Sequence, residues 1–83
     1  MSASNQGTRP LAGLPVGTRF RIQNIELPDD ILQRLLEMGL MTDTEAQVER
    51  YAPLGDPIEI KLRGYHLSLR ATEAAGIQVT ILA

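Results

Sequence analysis

His66 and Ser68 are the residues of this 83-residue chain whose types and spacing come nearest to chemistry. They stand two apart in Tyr65-His66-Leu67-Ser68-Leu69, so on an extended strand both side chains fall on one face. A hydroxyl activated by an imidazole base begins nucleophilic catalysis, but that chemistry also needs an acid to orient the base and donors for an oxyanion. The sequence offers neither, and two solvent-facing strand positions account for both residues. The same histidine with Glu59 or Glu73 could start a transition-metal site. One imidazole and no cysteine in the whole chain fall short of the several converging ligands such an ion takes, so no metal is expected. Gly55 and Gly64 stand alone, without the Gly-rich run ending in Lys-Ser/Thr that cradles phosphates. Asp29-Asp30 reads as acid placed at a helix start, where the dipole favours negative charge. The chain therefore reads as neither an enzyme nor a cofactor carrier.

Composition narrows the remaining classes. A chain of this length makes one domain and buries only about 60% of the surface its unfolded form exposes, so its core is small and held by packing alone. Eight basic against ten acidic residues leave a net charge of -2, which disfavours non-specific contact with a nucleic-acid backbone. Phe20, Tyr51 and Tyr65 are the only aromatic residues. They are too few for a base-stacking platform or for an aromatic groove that takes proline-rich peptides. No run approaches the roughly 20 apolar residues of a membrane span, and the N-terminus lacks the apolar stretch of a secretory signal. The expectation is a cytoplasmic protein that does not insert into a membrane. Residues 1–9 are small and polar and are expected to form a disordered tail, with a single domain over 10–83.

The elements that would position any site follow from periodicity. Ile58, Ile60 and Leu62 alternate with Glu59, Lys61 and Arg63; after Gly64, Tyr65, Leu67 and Leu69 alternate with His66, Ser68 and Arg70. This is a hairpin with one buried face, reversed at Arg63-Gly64 and preceded by the proline-bracketed turn Pro53-Leu54-Gly55-Asp56-Pro57. Phe20 and Ile22 alternate with Arg19, Arg21 and Gln23 in a first strand over 18–25, but Ile25 and Leu27 change parity, which predicts a bulge near Asn24. Ala46 and Val48 mark a strand over 44–51, and Ile77, Val79 and Ile81 a final one. Leu11 and Leu14 are expected to tuck under the domain, and Ala71–Gly76 to make one helical turn. The single helix, about 29–38, carries Ile31, Leu32, Leu35, Leu36 and Met38 on its apolar stripe. Asp30 is its expected N-cap with Gln33 completing a capping box, and Gly39 its left-handed terminator. Five short half-buried strands with one helix inserted between the first two predict a mostly β, small SH3-like barrel.

What is left is surface. Leu40, Met41 and Leu54 are large apolar residues in turn contexts: Leu40 either plugs a barrel end or faces a partner, whereas Leu54, at the tip of a rigid turn, is expected outside. Lys61, Arg63, Arg70 and Arg50 could form a basic patch around the hairpin, for an acidic partner or simply for solvent.

Three stretches in this order, Arg34-Leu35-Leu36-Glu37-Met38-Gly39-Leu40, the hairpin from Ala52 to Arg70, and Leu69-Arg70-Ala71-Thr72-Glu73-Ala74, resemble the FeoA family of bacterial ferrous iron uptake. The likeness runs over about residues 10–83. It implies the same barrel and a non-enzymatic accessory role: binding, from the cytoplasmic side, the membrane transporter FeoB, which carries a GTPase domain. Taken with the surface residues above, the expected contact residues are Leu40, Met41, Pro53, Leu54, Gly55, Asp56, Arg63, Tyr65 and Arg70. Scaffolding is one way to act; an arginine offered in trans, Arg63 or Arg70, to stimulate GTP hydrolysis is another. The resemblance extends to the SH3-like C-terminal domains of iron-dependent repressors, so an adaptor or ligand-binding module is the alternative. One departure stands out: where the family turns on Pro-Gly, this chain has Met41-Thr42-Asp43-Thr44, so Asp43 is expected to take the left-handed position.

Overall fold

The computed structural model describes residues 8–82. Six strands and two helices follow one another as β1 (Thr8–Pro10), β2 (Arg19–Ile25), α1 (Asp29–Glu37), β3 (Glu45–Tyr51), β4 (Ile58–Leu62), β5 (Tyr65–Leu69), α2 (Ala71–Ala74) and β6 (Ile77–Ile81). All strands join one antiparallel sheet in the order β1-β6-β2-β3-β4-β5, an SH3-like arrangement with the helix between its first two long strands. The five expected strands are present. The sixth, β1, pairs Thr8 with Thr80 and Arg9 with Val79, so the last two residues of the expected tail lie in the sheet instead. Residues 1–7 of that tail fall outside the described residues.

Alternation decides which faces meet. Phe20, Ile22, Val48, Ile58, Ile60, Leu69, Ile77 and Val79 are each at most 1% exposed and, with Leu11 and Leu35, fill the interior. The β2–β6 register slips between Ile22 and Asn24, the bulge that the parity change predicted. It lets Ile25 pack against the core although it lies three residues from Ile22.

Helix α1 begins at Asp29, where it is expected, but its N-cap lies two residues before the expected Asp30. Pro28 is its N-cap: its carbonyl accepts from Leu32 N–H at 2.8 Å, and no side chain caps the end. Asp29 and Asp30 are thus already helical, where they favour the dipole without capping. The stripe is also narrower than expected, for Leu35 is buried while Leu36 is 43% exposed. A short helix packed along one line buries a small arc, and each residue turns 100° from the last.

The C-terminal end of α1 is closed by a complete Schellman motif. Gly39 N–H donates to the Leu36 carbonyl at 3.0 Å and Leu40 N–H to the Leu35 carbonyl at 2.9 Å. Leu35 and Leu40, the pair whose apolar contact accompanies this motif, are both fully buried. Gly39 has φ +93°, and a Cβ there would overlap the Tyr65 hydroxyl, so two independent constraints demand glycine. The next turn does without one. Asp43 takes φ +74° at its third position, closed by Thr44 N–H donating to the Met41 carbonyl at 3.0 Å. That is the left-handed place a type II turn requires and a short carboxylate side chain tolerates.

Two side-chain contacts anchor α1. Tyr65 Oη donates to the Met38 carbonyl at 2.7 Å, and Arg34 pairs with Glu73 of α2. Glu73 is 6% exposed, and its other oxygen accepts from Arg70 N–H at 3.1 Å, so the buried carboxylate is satisfied on both sides. Helix α1 is thereby tied at its C-terminal end to the start of β5 and through Arg34 to α2.

Candidate partner-binding surface

The nine expected contact residues do not form one patch. The turn before β4 and the loop after β5 lie at one end of the hairpin, because Ile58 pairs with Leu69; Arg63, Tyr65 and the end of α1 lie at the other, because Leu62 pairs with Tyr65. Strand rise puts these ends about 13 Å apart.

At the first end, Ala52 to Gly55 form a turn in which Gly55 N–H donates to the Ala52 carbonyl at 2.7 Å. Pro53 presets its second position, and Gly55 leaves it at φ +89°. Ala52 N–H donates to the Pro57 carbonyl at 3.0 Å, and Asp56 Oδ1 accepts from Ala71 N–H at 2.9 Å, which ties the turn to the start of α2 and brings Asp56 next to Arg70 in the chain's course. Leu54 projects from this frame with 96% of its surface exposed. A side chain of this size ordinarily gains about 1.5–3 kcal/mol by burial, and here it gains none within its own chain. Behind the turn a shallow cleft of about 190 Å³ is lined by Arg50, Tyr51, Pro53, Pro57, Glu59 and Ser68.

At the second end the expectations divide. Leu40 is fully buried by the Schellman closure and leaves the surface, which corrects its place among the contact residues. Met41 remains 49% exposed. Tyr65, expected inward by alternation, is 40% exposed because its ring lies over Gly39 with its hydroxyl tied to Met38. Arg63 is exposed at the hairpin reversal and lines a cleft of about 400 Å³ with Asp43, Thr44, Glu45, Leu62 and Tyr65.

The expected basic patch is also split. Lys61 and Arg63 stay together, but Arg50 turns to the far end, where its Nε donates to Glu59 at 2.8 Å, and Arg70 starts α2. Sequence reasoning missed that Arg19 and Arg21 join Lys61 and Arg63. Their outward parity in β2 was visible; the strand order that brings β2 beside β3 was the missing information. As for chemistry, His66 and Ser68 are exposed, and Glu59 and Glu73 are engaged by Arg50 and Arg34. Among the described residues no three histidine, aspartate or glutamate side chains gather as a metal would need.

Residues 9–81 match the FeoA domain. This chain belongs to the FeoA domain family. It is 33% identical over 72 residues to a Porphyromonas gingivalis protein described as a Fe(2+) transport protein A/Fe(2+) transporter FeoB fusion protein, a match that takes in 87% of this chain and only 8% of that one. The solution NMR structure of the FeoA protein from Chlorobium tepidum superposes with a TM-score of 0.85 at 39% identity, over 89% of this chain and 70% of that one. The chain also shares its fold with the crystal structure of T. acidophilum IdeR, with a TM-score of 0.80 at 24% identity, over 90% of this chain and 34% of that one. At that identity the likeness is one of fold.

Proposed function

We propose that this FeoA domain is a non-enzymatic accessory of ferrous iron uptake that binds the cytoplasmic side of a FeoB-type transporter and supports or regulates it. The observation that carries the reading is Leu54, 96% exposed on a turn held by backbone and side-chain bonds. A rigid apolar anchor loses little conformational entropy on docking and gains its burial energy only when a partner covers it. Pro53, Gly55 and Asp56 shape that anchor, and Arg70 sits on its flank. Met41, Arg63 and Tyr65 would extend the contact at the far end of the hairpin. The Porphyromonas gingivalis relative, which by its description joins the two proteins in one chain, supports the choice of partner. Fusion raises effective concentration, an arrangement that suits two modules working together. Residence in the cytoplasm, at the inner membrane through the partner, follows from the same reading.

The test is a pull-down from native membranes with the tagged full chain and with Leu54→Asp. Recovery of FeoB by the wild type, and its loss with the variant at unchanged circular dichroism, is the expected result. Recovery of soluble proteins without FeoB would favour the adaptor reading and overturn this one.

A further inference from the structure

A second surface lies on the outward face of the sheet, away from the Leu54 turn. Register places Arg19 beside Gln47, Gln47 beside Lys61 and Lys61 beside His66, a row across β2, β3, β4 and β5. Buried Phe20, Ala46 and Ile60 turn that row outward. With strands about 4.8 Å apart, Arg19 and Lys61 stand about 10 Å from one another. One step along, Arg21 Nη2 donates to Glu45 Oε2 at 2.8 Å. The Glu45 carboxyl is held below its ordinary range, first by this hydrogen bond, which outweighs the opposing desolvation, and further by the fields of Arg21, Arg19 and Arg63. One carboxylate thus faces three guanidiniums. Counting Lys61 and the nearby Asp43, four cations and two carboxylates leave +2 on this face of a chain whose net charge is -2.

The face is recessed. The cleft of about 400 Å³ beside Tyr65 meets a second of about 270 Å³, which runs to Arg19, Lys61 and Leu82; they share Glu45, Leu62 and Arg63. Together they make a groove with cations on its walls and an apolar floor to which Tyr65 and Leu82 give accessible surface, with Leu62 almost wholly buried beneath it.

We propose that this groove docks an extended, carboxylate-rich segment of a protein partner. Arginine forks match carboxylates in bidentate geometry, and the apolar floor accepts an aliphatic side chain between them. A lipid surface fits less well, because clusters that bind anionic headgroups carry 4–8 cations, and here two carboxylates are interspersed. A nucleic acid would meet an overall negative molecule with one exposed ring on this face. The proposal does not depend on which protein Leu54 contacts.

The experiment titrates the full, isotope-labelled chain with a short fluorescent peptide of glutamate and serine around a central leucine, and with the same peptide carrying glutamine for glutamate. Binding of the glutamate peptide alone is expected, weakening about tenfold when salt rises from about 0.05 to about 0.3 M. Amide shifts should fall on Arg19, Gln47, Lys61 and Arg63. Arg63→Gln and Lys61→Gln should each weaken binding about fivefold or more, and Arg50→Gln, at the far end of the sheet, should not. Equal binding of the glutamine peptide, no binding of either, or shifts elsewhere would overturn the proposal. So would phosphatidylglycerol vesicles that perturb these residues while the peptide does not.

Discussion

The two ends of the β4–β5 hairpin expose apolar side chains for opposite reasons. At the turn end, Leu54 touches none of the core, and the bonds that hold its turn involve backbone groups and Asp56. At the helix end, Met41 and Tyr65 are exposed beside Gly39 and Leu40, whose placement closes α1 and seals the interior. Exposure at the first end can be altered without touching the fold. At the second, a change at Tyr65 is also a change of packing, because its ring and hydroxyl lie on the helix closure. Binding experiments that alter Tyr65 are therefore confounded by stability, and those that alter Leu54 are not.

The sharpest way to break this contrast is Leu35→Ala. Leu35 lies under the Schellman closure with no exposed surface, so the cavity left behind should cost about 2–5 kcal/mol. A loss below about 1 kcal/mol in chemical denaturation would mean that the helix end is not coupled to the core. Gly39→Ala comes next. The left-handed φ and the overlap with the Tyr65 hydroxyl should together cost about 1–3 kcal/mol, and Tyr65→Phe in the same chain should recover the overlap's share but not that of φ, because the ring carbon behind the hydroxyl stands 3.5 Å from the added Cβ. Glu73→Ala should cost about 1–3 kcal/mol by orphaning Arg70 N–H at the start of α2, with the ion-pair share reduced because Arg34 is half exposed.

The smallest effect belongs to Glu45. Its folded pKa is lowered, chiefly by the Arg21 hydrogen bond, so its contribution to stability is present above the unfolded carboxylate value and is lost as pH falls through the folded one. Both partners are solvent-exposed, so salt should erase it. Thermal melts across the acid range should fall off slightly less steeply for Glu45→Gln than for the wild type. Parallel curves would remove Arg21–Glu45 as a source of the acid limb.

Much of this architecture was legible in residue order, and the failures are specific. The hairpin, the parity change at Asn24, the glycine ending α1 and the left-handed Asp43 all follow from side-chain period or backbone sterics, which are local. Strand β1 escaped because three residues ending in proline carry no alternation; backbone pairing with β6 makes it, and side chains do not announce that. Leu54 could be read as exposed from its flanking proline and glycine. Leu40 could not be assigned, since its burial depends on which side chain the helix closure brings beneath it. The cationic groove escaped because its members come from β2 and β4, and only the tertiary order of strands makes them neighbours.

The central claim is that Leu54 contacts a partner and does nothing for the fold. It is tested most directly by titrating purified FeoB with the wild-type chain and with Leu54→Asp under identical conditions, alongside denaturation of each. The account predicts affinity lower by about tenfold or more and stability within about 0.5 kcal/mol of the wild type. Unchanged affinity at unchanged stability would contradict it.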